Sequence, residues 1–303
     1  MAAITLPGPI QRRIETTASA FLTPRGLPVV DFRSPPGEAA LVDADSVSWL
    51  VFKNPISLFI GGVAAVILEL AEPRVRAGVW GHTSFRDDPV DRLQRTGLAA
   101  MVTVYAARSV AEAMIAGIGR RHARIAGVSE HGQPYSATDP ELLDWVQATA
   151  SYGFLEAYHR FVRPLPQADR DRFYAEAVPA ARLYGAVGAP TGEADWREQF
   201  AAMLPKLEAS PIVFEFLDIV SRAPALPILA RPLQGPLVRA AVTLVPDAAR
   251  KRLGLDHRYG LSAWQAAIVR AASQAADRLL IQTAPPAQAS LRMGRSADWL
   301  YRR

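Results

Sequence analysis

One of the chain's five histidines, His122, sits inside the run RRHARIAG at 120–127, with Arg120 and Arg121 before it and Arg124 after it. A neutral imidazole can ligate a metal or carry a proton. Arginine keeps its charge and favours anionic partners. The run therefore reads two ways: a surface histidine in a basic turn, or an iron ligand with cations placed to meet something negative. Upstream, Arg92, Arg95 and Thr96 stand at i, i+3 and i+4 and share one helix face. Leu93, Ala100, Val104 and Ala107 make a neighbouring apolar face. A further candidate is Glu156-Ala-Tyr-His159, half of a di-iron carboxylate signature. That chemistry needs two Glu-x-x-His motifs and two more glutamates on facing helices. No second motif occurs, so the pair is expected on a helix surface.

Composition removes other chemistries. There is no cysteine, which excludes disulfides, iron–sulfur clusters, zinc–thiolate sites and thiolate-ligated haem. No Gly-rich phosphate loop stands in a strand–turn–helix context, and GxSxG and HExxH are absent. The formal net charge is +5 with a pI near 9.7. The arginines are spread along the chain among acids and form no basic stripe, so a nucleic-acid partner is not expected. The most apolar stretch, NPISLFIGGVAAVILELAEP (54–73), is free of charge only from Pro55 to Leu68. A membrane span needs roughly 20 apolar residues, so a buried core helix is expected there, with peripheral membrane contact left open. The start, MAAITLPGPIQRRIETTA, has no apolar run of signal-peptide length, and a cytoplasmic location is expected.

Positioning these residues falls to helices. Residues 1–45 are rich in proline and glycine and read as an irregular N-terminal arm. From Ser46 the pattern is helical, with no alternating strand run. Asn54-Pro55 starts a helix that ends before Pro73. A long helix runs from about Pro89 into the 110s, and Gly117, Gly119 and Gly127 break or bend the chain around His122. SEHGQPYSATDP is a loop, and its end carries a helix-start signal at Thr138, Asp139 and Pro140. Further helices fit 167–185, 193–209 and 210–222. Pro224, Pro227, Pro232, Pro236 and Pro246 restrict 223–248 to short helices or turns. A final helix covers 262–282, with Trp264, Ile268, Ala272, Ala275 and Leu279 as its apolar stripe. The tail, 284–303, is polar and expected to be loosely held. The prediction is an all-α chain with one helical domain over 46–283.

In an all-helical chain, catalysis usually borrows a metal or cofactor buried between helices. A b-type haem needs one imidazole on iron, an apolar pocket and cations near its propionates. The stretch from Pro89 to Gly127 could supply all three. From spacing alone, a solvent-facing or hydrogen-bonded His122 is the favoured reading over haem ligation.

The ordered set Arg92-x-x-Arg95-Thr96, His122, Gly127, Tyr135-x-Ala137-x-Asp139-Pro140 and Trp145-Val146 resembles the catalytic domain of rubber oxygenases (latex clearing proteins). The ER-bound oxygenase of mycophenolic acid biosynthesis shares that domain. Matches extend from about Ser46 to about Gly260 and include PDAARKRLGL at 246–255. The resemblance implies a globin-like core holding haem b, with His122 as the iron ligand. It implies Arg92 and Thr96 as haem-pocket residues. Arg95 stands where rubber-cleaving members have a lysine that approaches the distal side, and arginine is a poor iron ligand. It implies a distal glutamate as catalytic base, at Glu69 or Glu72, and His82, in GHTSF, as a candidate distal residue. The implied reaction takes dioxygen and a hydrophobic, unsaturated, isoprenoid- or lipid-like molecule and inserts oxygen across a C=C bond. Polyisoprene itself is disfavoured, because no secretion signal is visible. The rival readings are a non-enzymatic haem carrier, sensor or gas binder on the same fold, and a haem-free helical protein.

Overall fold

The computed structural model describes residues 3–82, 85–226, 228 and 230–302. Pro227, named above among the helix breakers, lies outside them. The chain is mostly helical. In order, the helices are α1 (Gly8–Phe21), α2 (Val47–Phe52), α3 (Pro55–Ala71), α4 (Pro73–Gly81), α5 (Pro89–Tyr105) and α6 (Arg108–His122). A hairpin of β1 (Ala126–Val128) and β2 (Pro134–Ser136) follows. Then come α7 (Pro140–Phe161), α8 (Gln167–Tyr184), α9 (Glu193–Met203), α10 (Pro211–Arg222), α11 (Gln234–Leu244), α12 (Asp247–Leu253), α13 (Ala263–Arg278) and α14 (Pro285–Arg292).

Four helix starts that shape the site share one device. A polar side chain accepts the first free N–H groups, and a proline whose own N–H is not needed follows it. Asn54 accepts from Ile56 N at 3.1 Å and Ser57 N at 3.0 Å, ahead of Pro55. Glu72 does this for α4, Asp88 for α5 and Asp139 for α7. Because Glu72 ends α3 and caps α4 in one step, the chain turns by 112° there. No single described helix is long and apolar enough to cross a membrane; only this bent pair passes on length and composition together.

The centre of the molecule is the crossing of α3 and α7. Gly61 and Gly153 meet backbone to backbone: a Cβ on Gly61 would lie 2.6 Å from the Gly153 carbonyl oxygen. Glycine at both positions lets the axes approach, and this brings the later turns of α3 against the earlier turns of α7. Ile60, Ala64, Ile67, Leu68 and Ala71 of α3 are fully buried, with Trp145, Ala148 and Leu155 of α7 beside them in one apolar core.

Several local expectations change. The segment 1–45 is not irregular throughout, because α1 lies within it. The expected long helix from Pro89 is two helices. The arm inserts at Ala106–Ala107, pairing Ala40 with Ala107, and Glu38 accepts from the Ser109 backbone and hydroxyl at 2.6 and 3.0 Å. A long-range cap of this kind leaves no local sequence signal. Gly117 and Gly119 do not break the chain, and α6 runs through both to His122. The loop before α7 contains the β1–β2 hairpin, turned at Gly132, whose φ of 76° favours glycine. The segment 223–248 holds an 11-residue helix, α11. The tail is packed: Ala287, Ala289 and Leu300 are fully buried, and Arg292 donates to the carbonyls of Glu38 (2.9 Å) and Phe32 (2.8 Å). Of the apolar stripe expected to seat α13, Trp264, Ile268 and Ala275 are exposed and Ala272 and Leu279 half-buried, while Val269, Ser273 and Asp277 face the core.

Candidate functional site

His122 is the last residue of α6, where the chain leaves the helix toward the hairpin. Its imidazole is partly buried. Enclosure first, then the charges of Arg121 and Arg92, hold its pKa below the ordinary histidine value. It is therefore a neutral ring at pH 7, with a lone pair available. Among the described residues no hydrogen bond reaches this ring.

Arg92, one turn into α5, is the second cation that acts on His122, after Arg121. Burial pushes its own pKa down, and the nearby Glu69 carboxyl opposes that. The guanidinium lies over the ring of Phe85, 5.7 Å from its centroid. Phe85 stacks on Trp80 at 6.1 Å and meets Phe216 edge-on at 5.4 Å. Arg92 Nε is buried with no hydrogen-bond partner. A buried cation with an unused donor is costly unless an anionic group completes it.

Glu69 stands near the end of α3, one turn before the bend. It is densely enclosed by protein yet keeps partial exposure. Enclosure raises its pKa from 4.5 to about 7, against the pull of Arg92 and of a hydrogen bond from Thr149 Oγ1 at 3.4 Å. Thr149 belongs to α7 and is fully buried. A carboxyl poised near neutrality can both take and return a proton at physiological pH. Glu69, Arg92 and His122 thus come from three helices, and the charge of Arg92 acts on both titrating groups.

The other expected residues are engaged elsewhere. Glu72 is buried and spends its oxygens on Val75 N (2.7 Å) and Arg74 Nε (2.8 Å). Arg95 pairs with Asp91 and donates to the Arg25 carbonyl, pinning the arm onto α5. Thr96 is exposed and its hydroxyl returns to the Arg92 carbonyl at 3.0 Å. His82 is exposed, with Nε2 3.1 Å from the Tyr135 hydroxyl. That tyrosine ring passes against Gly127, where a Cβ would lie 2.8 Å from the hydroxyl oxygen. Gly127, Tyr135 and His82 therefore fasten the hairpin to the end of α4. Glu156 pairs with Arg170, and His159 Nδ1 accepts from Leu165 N at 3.0 Å, so this Glu-x-x-His pair serves the scaffold.

Thr149, Phe85 and Trp80 were not legible as site residues. Thr149 lies 80 positions from Glu69, and only the α3–α7 crossing brings them together. Among the described residues no three His, Asp or Glu side chains converge as metal ligands. The donor set is one neutral imidazole, one half-buried arginine with a free Nε, and an aromatic wall in which Trp80 Nε1 is also without a partner. It fits a group that brings its own equatorial ligands and carries carboxylates, as haem does.

No curated protein and no solved structure matches the chain. The family described as ER-bound oxygenase mpaB/B'/Rubber oxygenase, catalytic domain, matches residues 49–278, about three quarters of the chain. That span runs from α2 to the end of α13 and contains Glu69, Arg92, His122 and Thr149. The chain belongs to this family of oxygenase catalytic domains.

Proposed function

We propose that the protein is a haem-b-dependent oxygenase acting with dioxygen on a hydrophobic, unsaturated, isoprenoid- or lipid-like substrate. The observation that carries the reading is Arg92, a half-buried cation whose buried Nε has no partner and whose charge acts on both a neutral imidazole and a carboxyl of near-neutral pKa. In this reading His122 is the iron ligand and Arg92 meets a propionate. The ends of α3, α5, α6 and α7 form the globin-like core expected from the resemblance, and the location is cytoplasmic. When bound, the haem supplies iron chemistry with dioxygen. Glu69 takes the allylic proton of the substrate and returns it, and its enclosure keeps its proton affinity near the working pH. Thr149 holds one carboxyl oxygen in place. Phe85, Trp80 and Phe216 keep water from the reacting carbon. Of the two candidate bases this favours Glu69, because protonating Glu72 would remove the α4 cap.

The test is dioxygen uptake by hemin-reconstituted protein with a panel of unsaturated isoprenoids and lipids. Uptake matched by carbonyl products, and abolished in Glu69→Gln with haem still bound, is the expected result. Haem binding without uptake across the panel would leave a carrier or gas sensor as the better reading.

A further inference from the structure

α13 is amphipathic in the opposite sense to the one its pattern suggests. Its inner face is Val269, Ser273 and Asp277. Asp277 pairs with Lys53 at 3.2 Å, and Asn54 Nδ2 donates to the Ser273 carbonyl at 2.8 Å, so polar contacts fix which side is buried. The outer face carries Trp264, Ala267, Ile268, Ala271 and Ala275, all exposed. Trp264 is 65% and Ile268 42% accessible. At roughly 100° per residue these five side chains fall within an arc of about 100°. Scattered apolar residues on a surface are ordinary, but a contiguous stripe marks a contact surface.

The exposed charges on α13 are both positive, and on the adjoining α1 two arginines outnumber one half-buried acid, Glu15, which is held by Gln11 and the Gln282 backbone. Arg270 and Arg278 are exposed on α13, and no ion pair engages either among the described residues. The helix's one acid, Asp277, is buried and spent on Lys53. At the C-terminal end of α13, Ile4 N donates to the Arg278 carbonyl at 2.7 Å and Gln11 Nε2 to the Leu280 carbonyl at 2.9 Å. This fastens α1 there, with exposed Ile10, Arg12 and Arg13.

We propose that this face of α13 docks the protein on an anionic membrane surface, with the helix lying in the interface. A second copy of the chain is the poorer occupant. It would bring together two faces whose exposed charges, Arg270 and Arg278, have the same sign, with the one acid of α13 buried. Anionic headgroups meet both arginines, a tryptophan is favoured at headgroup depth, and the apolar arc takes the acyl boundary. The proposal stands on α13 alone and does not depend on the haem reading.

The experiment is co-sedimentation of the full-length protein with vesicles of phosphatidylcholine containing phosphatidylglycerol, against phosphatidylcholine alone. Binding to the mixed vesicles is expected to be about tenfold tighter and to weaken with added salt. The double variant Trp264→Ser/Ile268→Ser should lose about tenfold in affinity. Arg270→Glu should lose several-fold, with unchanged circular dichroism in both. Equal sedimentation of wild type and double variant, or no binding to either vesicle, overturns the proposal. So does a concentration-dependent dimer in light scattering that the double substitution abolishes, since a second copy would then cover the face.

Discussion

Glu69, Arg92 and His122 form a short electrostatic series in which each group sets the state of the next. Arg92 depresses the proton affinity of both neighbours, while enclosure acts in opposite directions on them, raising the carboxyl and lowering the imidazole. The result at pH 7 is a neutral imidazole and a carboxyl near its midpoint, both under the influence of one half-buried cation. A consequence can be measured without any cofactor. The folded pKa of Glu69, about 7, exceeds its ordinary 4.5, so folding disfavours the ionised form. Stability from this group is full below about pH 4.5 and is lost as pH rises through about 7. Glu69→Gln removes that loss. Its stability relative to wild type should rise by up to about 3 kcal/mol between acid and mildly alkaline pH, read from urea unfolding at each pH. A difference that does not change with pH would show that Glu69 is not enclosed as described. At this scale His122 and Arg92 were singled out through the family resemblance, since type and spacing alone favoured an ordinary histidine. The sequence could not separate Glu69 from Glu72, because burial and capping decide that, although Glu72-Pro73 ahead of Val75 is itself a cap signature. Arg95, Thr96 and His82 share the motif but are taken up by local contacts that spacing does not reveal.

The helices that place these residues depend on one close crossing. Gly61 and Gly153 let α3 and α7 touch through their backbones, and Glu69 and Thr149 lie two turns and one turn away along the same pair. Gly61→Ala should force the axes apart, cost at least about 2 kcal/mol and weaken the Thr149–Glu69 hydrogen bond. Thermal unfolding checks the first effect. An alanine variant as stable as wild type would contradict the close approach. Helix starts at Asn54, Asp139 and Pro89 were readable because cap and proline are adjacent in sequence. The break between α5 and α6 was not, because Glu38 caps it from some 70 residues away. The face of α13 was misread for a related reason. Its apolar stripe follows the helical period, but Asp277, Ser273 and Asn54 turn it outward through polar contacts with α3.

Over the whole molecule, the ends of the chain belong to the core. Leu300 is fully buried and Tyr301 nearly so, and Arg292 ties α14 to carbonyls of the N-terminal segment. Trp299 meets Trp49 edge-on at 6.4 Å. Ending the chain before Pro285 should therefore lower the melting temperature by at least about 10 °C or abolish the cooperative transition. A truncated protein that melts like the full chain would restore the loosely held tail that its polar composition suggested. Composition misled here because Ala287, Ala289, Leu300 and Tyr301 pack in an otherwise polar tail, and Ser290 and Arg292 are buried with them. The family and its helical architecture were legible from an ordered set of motifs, and the match over residues 49–278 bears that out. The claim on which the proposed function turns is that His122 ligates haem iron. The most direct measurement is the optical spectrum of hemin-reconstituted protein, wild type against His122→Ala. The wild type should show a Soret band near about 400–415 nm that the variant lacks or shifts, with hemin bound at least tenfold more weakly. An unchanged spectrum and affinity in His122→Ala would contradict the assignment.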